Sequence, residues 1–203
     1  GIYLSAHPLD EYRIVLDNLC NTKCAELNDV ASLNDREDII IGGIVTGTQS
    51  KYTKSGKPCG FVTIEDYEGS GQLAFFGEDW GKWNGMLIEG SSVYITAKCV
   101  PRYRDSNLFD LKVQNIEYLQ TVKERAIDRF TINITTDDLD SRVVEELNQL
   151  ICLHPGRTKL FFQLHDRKGG NHVLLRSRTH EIDVRQDLIN FIENYDFLDY
   201  NIN

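Results

Sequence analysis

Two short stretches of this chain interleave cations with aromatic rings. Lys51-Tyr52-Thr53-Lys54-Ser55-Gly56-Lys57 carries three ammonium groups and a ring, and Val100-Pro101-Arg102-Tyr103-Arg104-Asp105 carries two guanidinium groups and a ring. Cations meet phosphates and flat rings stack on unpaired bases, so such stretches suit single-stranded nucleic acid. Other chemistry finds less support. Asp137, Asp138 and Asp140 could hold a divalent ion, but they sit at a helix start, where carboxylates favour the helix dipole. Cys20, Cys24, Cys59, Cys99 and Cys152 form an odd set without a Cys-x-x-Cys spacing and read as reduced thiols. His7, His154, His165, His172 and His180 show no ligand spacing, and no nucleophile–base pair is singled out. Gly69-Ser70-Gly71 is a turn and not a phosphate loop, because no Lys-Ser/Thr follows. The expectation is a chain with no catalytic residue, no metal and no cofactor of its own.

Charge is unevenly spread. The 203 residues carry a formal net charge of −9, which argues against indiscriminate nucleic-acid binding. Residues 1–38 hold 3 basic and 8 acidic side chains, residues 39–120 hold 8 and 9, and residues 121–203 hold 11 and 14. The middle segment is near neutral between acidic neighbours, and residues 39–64 contain Lys51, Lys54 and Lys57 and no carboxylate. Lys98, Arg102 and Arg104 form a second basic cluster. No apolar run approaches the roughly 18 residues that cross a bilayer, and the start shows no leader pattern. The composition therefore fits a cytoplasmic protein away from the membrane. Gly1 in place of Met points to a piece of a longer chain.

The elements that position these stretches are short strands. Ile39–Tyr52, Gly60–Asp66, Gln72–Phe76, Ser92–Val100 and Leu108–Tyr118 read as five strands, with a helix over Glu78–Ile88 that puts Trp80, Trp83 and Leu87 on one face. That order is the five-stranded OB-fold barrel, and Gly42-Gly43 suggest a bulge that helps it close. The two cationic stretches then join strands one to two and four to five, the loops that flank an OB-fold groove on strands two and three. Parity turns Phe61 outward with Thr63 and Glu65, and Phe76 outward with Gln72. Val62, Ile64, Leu73 and Phe75 then face the core. The candidate nucleic-acid contacts are Lys51, Tyr52, Lys54, Lys57, Phe61, Lys98, Arg102, Tyr103, Arg104 and Lys112. Trp80 and Trp83 read as a plug at one barrel end.

The last third follows a β-α-β-β-α-β order. Strand Arg129–Ile134 leads to a helix capped by Thr135-x-x-Asp138 and stopped by His154-Pro155-Gly156. Strands Lys159–His165 and Asn171–Arg178 flank the turn Asp166–Gly170, and a helix over 184–195 precedes an alternating tail. The order suggests a small α+β domain of the split βαβ, ferredoxin-like kind. Asn171–Arg178 lacks the aromatics of an RNA-recognition strand, so protein docking fits better, with Phe197, Leu198 and Tyr200 as candidate anchors. The domain expectation is 1–38 as a helical and loop lead-in with a helix over Leu9–Leu19, 39–120 as the barrel, and 121–203 as the docking domain. Residues 120–128 read as a polar link, helical or extended.

Gly1-Ile2-Tyr3-Leu4-Ser5-Ala6-His7-Pro8-Leu9, followed by an OB-fold, resembles the C-terminal region of the bacterial replicative DNA polymerase III alpha subunit. Lys54-Ser55-Gly56-Lys57-Pro58 with Phe61-Val62-Thr63-Ile64-Glu65-Asp66, and His154-Pro155-Gly156 before Leu160–Leu164, are similar to later parts of that family. The resemblance implies a barrel that binds single-stranded template DNA and a tail that binds the tau subunit of the clamp loader, both joined to the remainder of the polymerase chain. It supplies no palm and no metal-binding carboxylates, so polymerase activity is not carried over. Two alternatives stand beside it: a scaffold whose barrel binds no nucleic acid, and the anticodon-binding barrel of a tRNA synthetase.

Overall fold

The computed structural model describes residues 7–102, 105–167 and 169–202, with backbone alone at 105–107. The opening string Gly1–Ala6, and the candidates Tyr103 and Arg104, lie outside the described residues. The chain divides into two compact units, 1–122 and 123–203.

Unit 1 is built on a five-stranded antiparallel sheet: β1 (Ile39–Tyr52), β2 (Pro58–Glu65), β3 (Ser70–Phe76), β4 (Ser92–Arg102) and β5 (Asp105–Tyr118). The sheet order is β3-β2-β1-β4-β5. The 14-residue β1 makes this possible, pairing with β4 through Ile39–Ile44 and with β2 through Ile44–Tyr52. The register shift in β1 falls between Val45 and Gly47, which corrects the expected bulge at Gly42-Gly43. Those two glycines serve close approach instead: a Cβ on Gly42 would stand 2.3 Å from Leu16 Cδ2, and one on Gly43 would stand 2.7 Å from the Glu65 carbonyl oxygen. Inside the barrel, Val62, Ile64, Leu73 and Phe75 are buried with Ile41, Val93, Ile95 and Ala97, as period-two alternation requires.

The helix between the third and fourth strands is shorter than the periodicity suggested. It runs only from Glu78 to Trp83, here α2. Gly81 and Gly85 weaken its continuation, and Asn84 donates its side-chain amide back to the Trp80 carbonyl (2.7 Å). Trp80, Trp83 and Leu87 are nonetheless all in the barrel core.

Residues 7–38 hold a 3-10 turn (Asp10–Tyr12) and then α1 (Arg13–Leu19), in place of one helix over Leu9–Leu19. Cys24, Leu27 and Leu33 belong to the barrel core itself. Asp66 is buried and anchors this segment: its Oδ2 accepts from the Cys24 N–H at 2.7 Å, while Oδ1 accepts from the N–H groups of Glu68 and Gly69. Burial pushes the Cys20 thiol up to about 12 and the Cys24 thiol higher still, so both stay protonated.

The stretch read as a polar link forms α3 (Leu119–Ala126), which spans the division between the units. Unit 2 continues with β6 (Arg129–Thr135), α4 (Ser141–Leu153), β7 (Pro155–Asp166), β8 (Asn171–Ile182), α5 (Gln186–Glu193) and β9 (Leu198–Ile202). The β-α-β-β-α-β order stands, but the split arrangement is corrected. The sheet order is β8-β7-β6-β9, and β6 and β7 are direct parallel neighbours with no strand between them. Periodicity reports which face a strand buries and is silent on its neighbours. A helix of α4's length crosses between adjacent parallel strands as readily as over a third one. The helix cap is also corrected. Thr136–Asp138 is a separate 3-10 turn, and Asp140 caps α4 by accepting from the N–H groups of Arg142 (2.7 Å) and Val143 (3.0 Å). Leu139 is extended between the two turns, which resets the helix start. Val143, Leu147 and Ile151 of α4 join Leu188, Ile189 and Ile192 of α5 in the core, with Phe130, Ile132 and Leu160 of the sheet.

Candidate nucleic-acid interface

The outer face of β1, β2 and β3 is where the sequence-predicted residues meet. Gln49 stands opposite Phe61, Phe61 opposite Ala74, and Cys59 opposite both Lys51 and Phe76. Lys51 and Phe61 lie on the solvent side, and the Lys51 ammonium is 5.6 Å from the Phe61 ring centroid. Phe76 is 56% exposed and meets Phe61 edge-on, with centroids 6.3 Å apart and planes at 86°. Two rings and a cation thus share one strand face, bordered by Thr63 and Gln72 on the neighbouring pairs.

Tyr52 is placed differently. It is 79% exposed, but strand alternation puts it with Thr48 and Ser50. Thr48 is bonded to the Leu87 carbonyl, and these residues line an open cleft of about 680 Å³ with Trp80, Ile88 and Glu89. Tyr52 and Phe61 are therefore not on one face, because neighbours in a strand point opposite ways. Lys54 and Lys57 are exposed in the turn Thr53–Lys57, which is closed by Thr53 N–H to the Lys57 carbonyl (2.8 Å) and by Gly56 at φ +77.

The second cluster lies on β4 and β5. Arg102 belongs to the strand, and its guanidinium is engaged by Asp110 at 2.8 Å. Lys98 faces Lys112 directly across the pair and sits 3.7 Å from Asp38. Two of the three described cations here are thus partly neutralised by local carboxylates. Phe76 is not among the candidate contacts read from the sequence, yet it shares this face with Phe61, and its outward parity was already legible from Leu73 and Phe75.

In unit 2 the three candidate anchors are largely committed to the fold. Leu198 is 6% exposed and stands opposite Ile134, while Tyr200 stacks on Phe130 with centroids 5.3 Å apart. This takes Leu198 out of the accessible surface. Phe197 precedes β9, so strand parity does not govern it, and it packs against Tyr195 at 5.2 Å. Among the described residues, no group of three or more His, Cys, Asp or Glu side chains could hold a metal ion. Among them, too, no helix is long and apolar enough to cross a membrane.

A partly open five-stranded barrel with an exposed cation–aromatic face, followed by an α+β domain, defines the class: an OB-fold protein with a second mixed-sheet unit. Residues 39–119 match the family described as OB-fold nucleic acid binding domain, and residues 130–203 match the family described as DNA polymerase III alpha subunit, C-terminal domain. The chain is related to the C-terminal region of bacterial DNA polymerase III alpha subunits. It is 25% identical over 205 residues to DNA polymerase III subunit alpha of Borreliella burgdorferi, covering 98% of this chain and 16% of that protein. The subunit of Saccharopolyspora erythraea is 24% identical over 178 residues, covering 87% of this chain and 15% of that one. The chain thus spans only about 15–16% of the length of these relatives. Among solved structures, asparaginyl-tRNA synthetase from Pyrococcus horikoshii is similar with a TM-score of 0.33 and 19% identity, over 49% of this chain and 22% of that one. The mitochondrial single-stranded DNA binding protein Rim1 of S. cerevisiae gives 0.31 and 15%, over 42% of this chain and 97% of that one.

Proposed function

We propose that this chain is a non-catalytic part of a replicative DNA polymerase, in which unit 1 binds single-stranded template DNA and unit 2 docks the tau subunit of the clamp loader. The observation that carries the DNA reading is the Lys51–Phe61–Phe76 cluster on the outer face of β1, β2 and β3. Phe61 and Phe76 offer stacking surfaces, and Lys51, Lys54 and Lys57 supply cations for the phosphates beside them. The near-neutral charge of residues 39–120, set in a chain of net charge −9, suits contact with one strand at a defined place rather than along the whole surface. Family relationship supports the docking reading, as does the net charge of −3 over residues 121–203 (11 basic against 14 acidic), which disfavours phosphate.

The test is a titration of fluorescently labelled single strands with the 203-residue chain at two salt concentrations. Binding that weakens as salt rises, and that is lost when Lys51, Lys54 and Lys57 all become Ala, supports the reading. Affinity indifferent to both would favour the scaffold alternative, in which the barrel contacts protein only.

A further inference from the structure

β8 is the outer strand of the unit 2 sheet, and among the described residues β7 is its only neighbour. Edge strands in folded proteins are normally shielded by charge, by a bulge or by a covering element, because their open N–H and C=O groups recruit further strands. Here the regular part of the edge, Asn171–Arg176, carries three consecutive exposed apolar side chains: Val173 at 47%, Leu174 at 49% and Leu175 at 46%. Beyond Arg176 the pairing breaks. Arg176 stands opposite Phe161 and Glu181 opposite Lys159, so Ser177–His180 bulge out of register and end the regular edge.

The two faces of this edge differ. Val173 and Leu175 stand opposite Leu164 and Phe162, which continue the buried side of β6. His172, Leu174 and Arg176 stand opposite His165, Gln163 and Phe161 on the polar side. From Asn171 to His180 the strand holds two arginines, two histidines and no carboxylate, and Glu181 is the first acid, 4.0 Å from Arg176. Asp166, at the hairpin end, is turned to the Gly169 N–H at 2.9 Å.

We infer that the Asn171–Arg176 edge accepts an extended segment of a partner protein as a fifth strand, one that alternates acidic and apolar residues. This rests on the docking role proposed for unit 2, and it moves the contact from the last strand to β8. Main-chain bonds to the edge would supply affinity. Apolar side chains of the segment would cover Val173 and Leu175, and its acids would lie beside His172 and Arg176. A second copy of this chain fits poorly, since pairing the same edge with itself sets these basic groups against each other.

The test uses the 203-residue chain and two labelled decapeptides, one alternating Glu and Val, the other Lys and Val. The Glu–Val peptide should bind at least tenfold tighter and shift amide resonances of Asn171–Arg176. Val173→Glu/Leu175→Glu should weaken it tenfold or more, and Arg176→Glu, at an exposed position, should move the preference toward the Lys–Val peptide. Equal binding of the two peptides, no binding of either, an unchanged preference in Arg176→Glu, or dimerisation of the chain through this edge would overturn the inference. Capture of the tau subunit is measured in parallel. Wild type and double variant capturing it equally would leave docking in place and remove β8. Failure of wild type would remove docking, and the peptide arm would then decide the edge alone.

Discussion

Lys51 and Phe61 stand on neighbouring strands with the ammonium 5.6 Å from the ring centroid, and Phe76, on the next strand, meets the same ring edge-on at 6.3 Å. This geometry ranks the candidate contacts. Phe61→Ala and Phe76→Ala should each cost about 1–3 kcal/mol of single-strand binding. Tyr52→Ala, on the opposite face of β1, should cost less than either. Lys51→Ala should lower the slope of log affinity against log salt by about one. Anisotropy titrations at two salt concentrations read all four.

Gly60 lies under Trp80. A Cβ there would stand 2.2 Å from the indole ring. Gly60→Ala should therefore destabilise unit 1 by about 1–3 kcal/mol through overpacking. Thermal unfolding followed by tryptophan emission checks this, because the substitution also displaces one of only two tryptophans.

The Lys123 side chain is 8% exposed and its ammonium lies 2.8 Å from Asp183, which Arg185 also contacts at 2.7 Å. Burial works to raise the Asp183 carboxyl, but the Lys123 hydrogen bond and charge, with Arg185, outweigh it and hold the group below its ordinary value. The sign follows: the stabilisation is complete above the unfolded carboxyl value of about 3.9 and is lost as pH falls through the lower folded value. Lys123→Met should cost about 1–2 kcal/mol near neutral pH, a modest figure because Asp183 is about one-third exposed and keeps Arg185. Urea unfolding of wild type and variant should converge once the pH falls below the folded value.

Thiol chemistry separates the cysteines. Cys152 is exposed, whereas Cys24 is buried and Cys20 is pushed up to about 12 by burial. Iodoacetamide at pH 8 should label Cys152 first and leave Cys20 and Cys24 unmodified until the chain unfolds. Mass spectrometry of the digested chain reads the order.

What could be read in the sequence was whatever obeys a short period. Alternation at Val62, Ile64, Leu73 and Phe75 announced the barrel interior and, by complement, the outward Phe61 and Phe76. Long-range facts were hidden. Nothing in β6 or β7 says that they are neighbours, and nothing in Thr135-x-x-Asp138 reveals that an extended Leu139 hands the cap to Asp140. Tyr52 and the lysines look like one cluster along the chain, yet a single step in a strand reverses the side-chain direction. Arg102 looks free until Asp110 is brought beside it by the β4–β5 register. The exposed edge at Val173–Leu175 was not legible either, because three adjacent apolar residues in a strand do not say which side the fold leaves uncovered.

The barrel's interior is not confined to its strands. Cys24, Leu27 and Leu33 fill part of it, the Cys24 carbonyl oxygen and the Leu27 side chain lie where a Cβ on Gly71 would be, and Thr22 makes a parallel bridge to Ile41. A fragment cut at Ile39, where the strand pattern begins, would open a hole in the hydrophobic centre and strip Asp66 of its bond to the Cys24 amide. Anyone preparing the barrel alone for spectroscopy or crystallisation must begin upstream of Thr22, because the sequence that reads as a lead-in is structurally part of the wall.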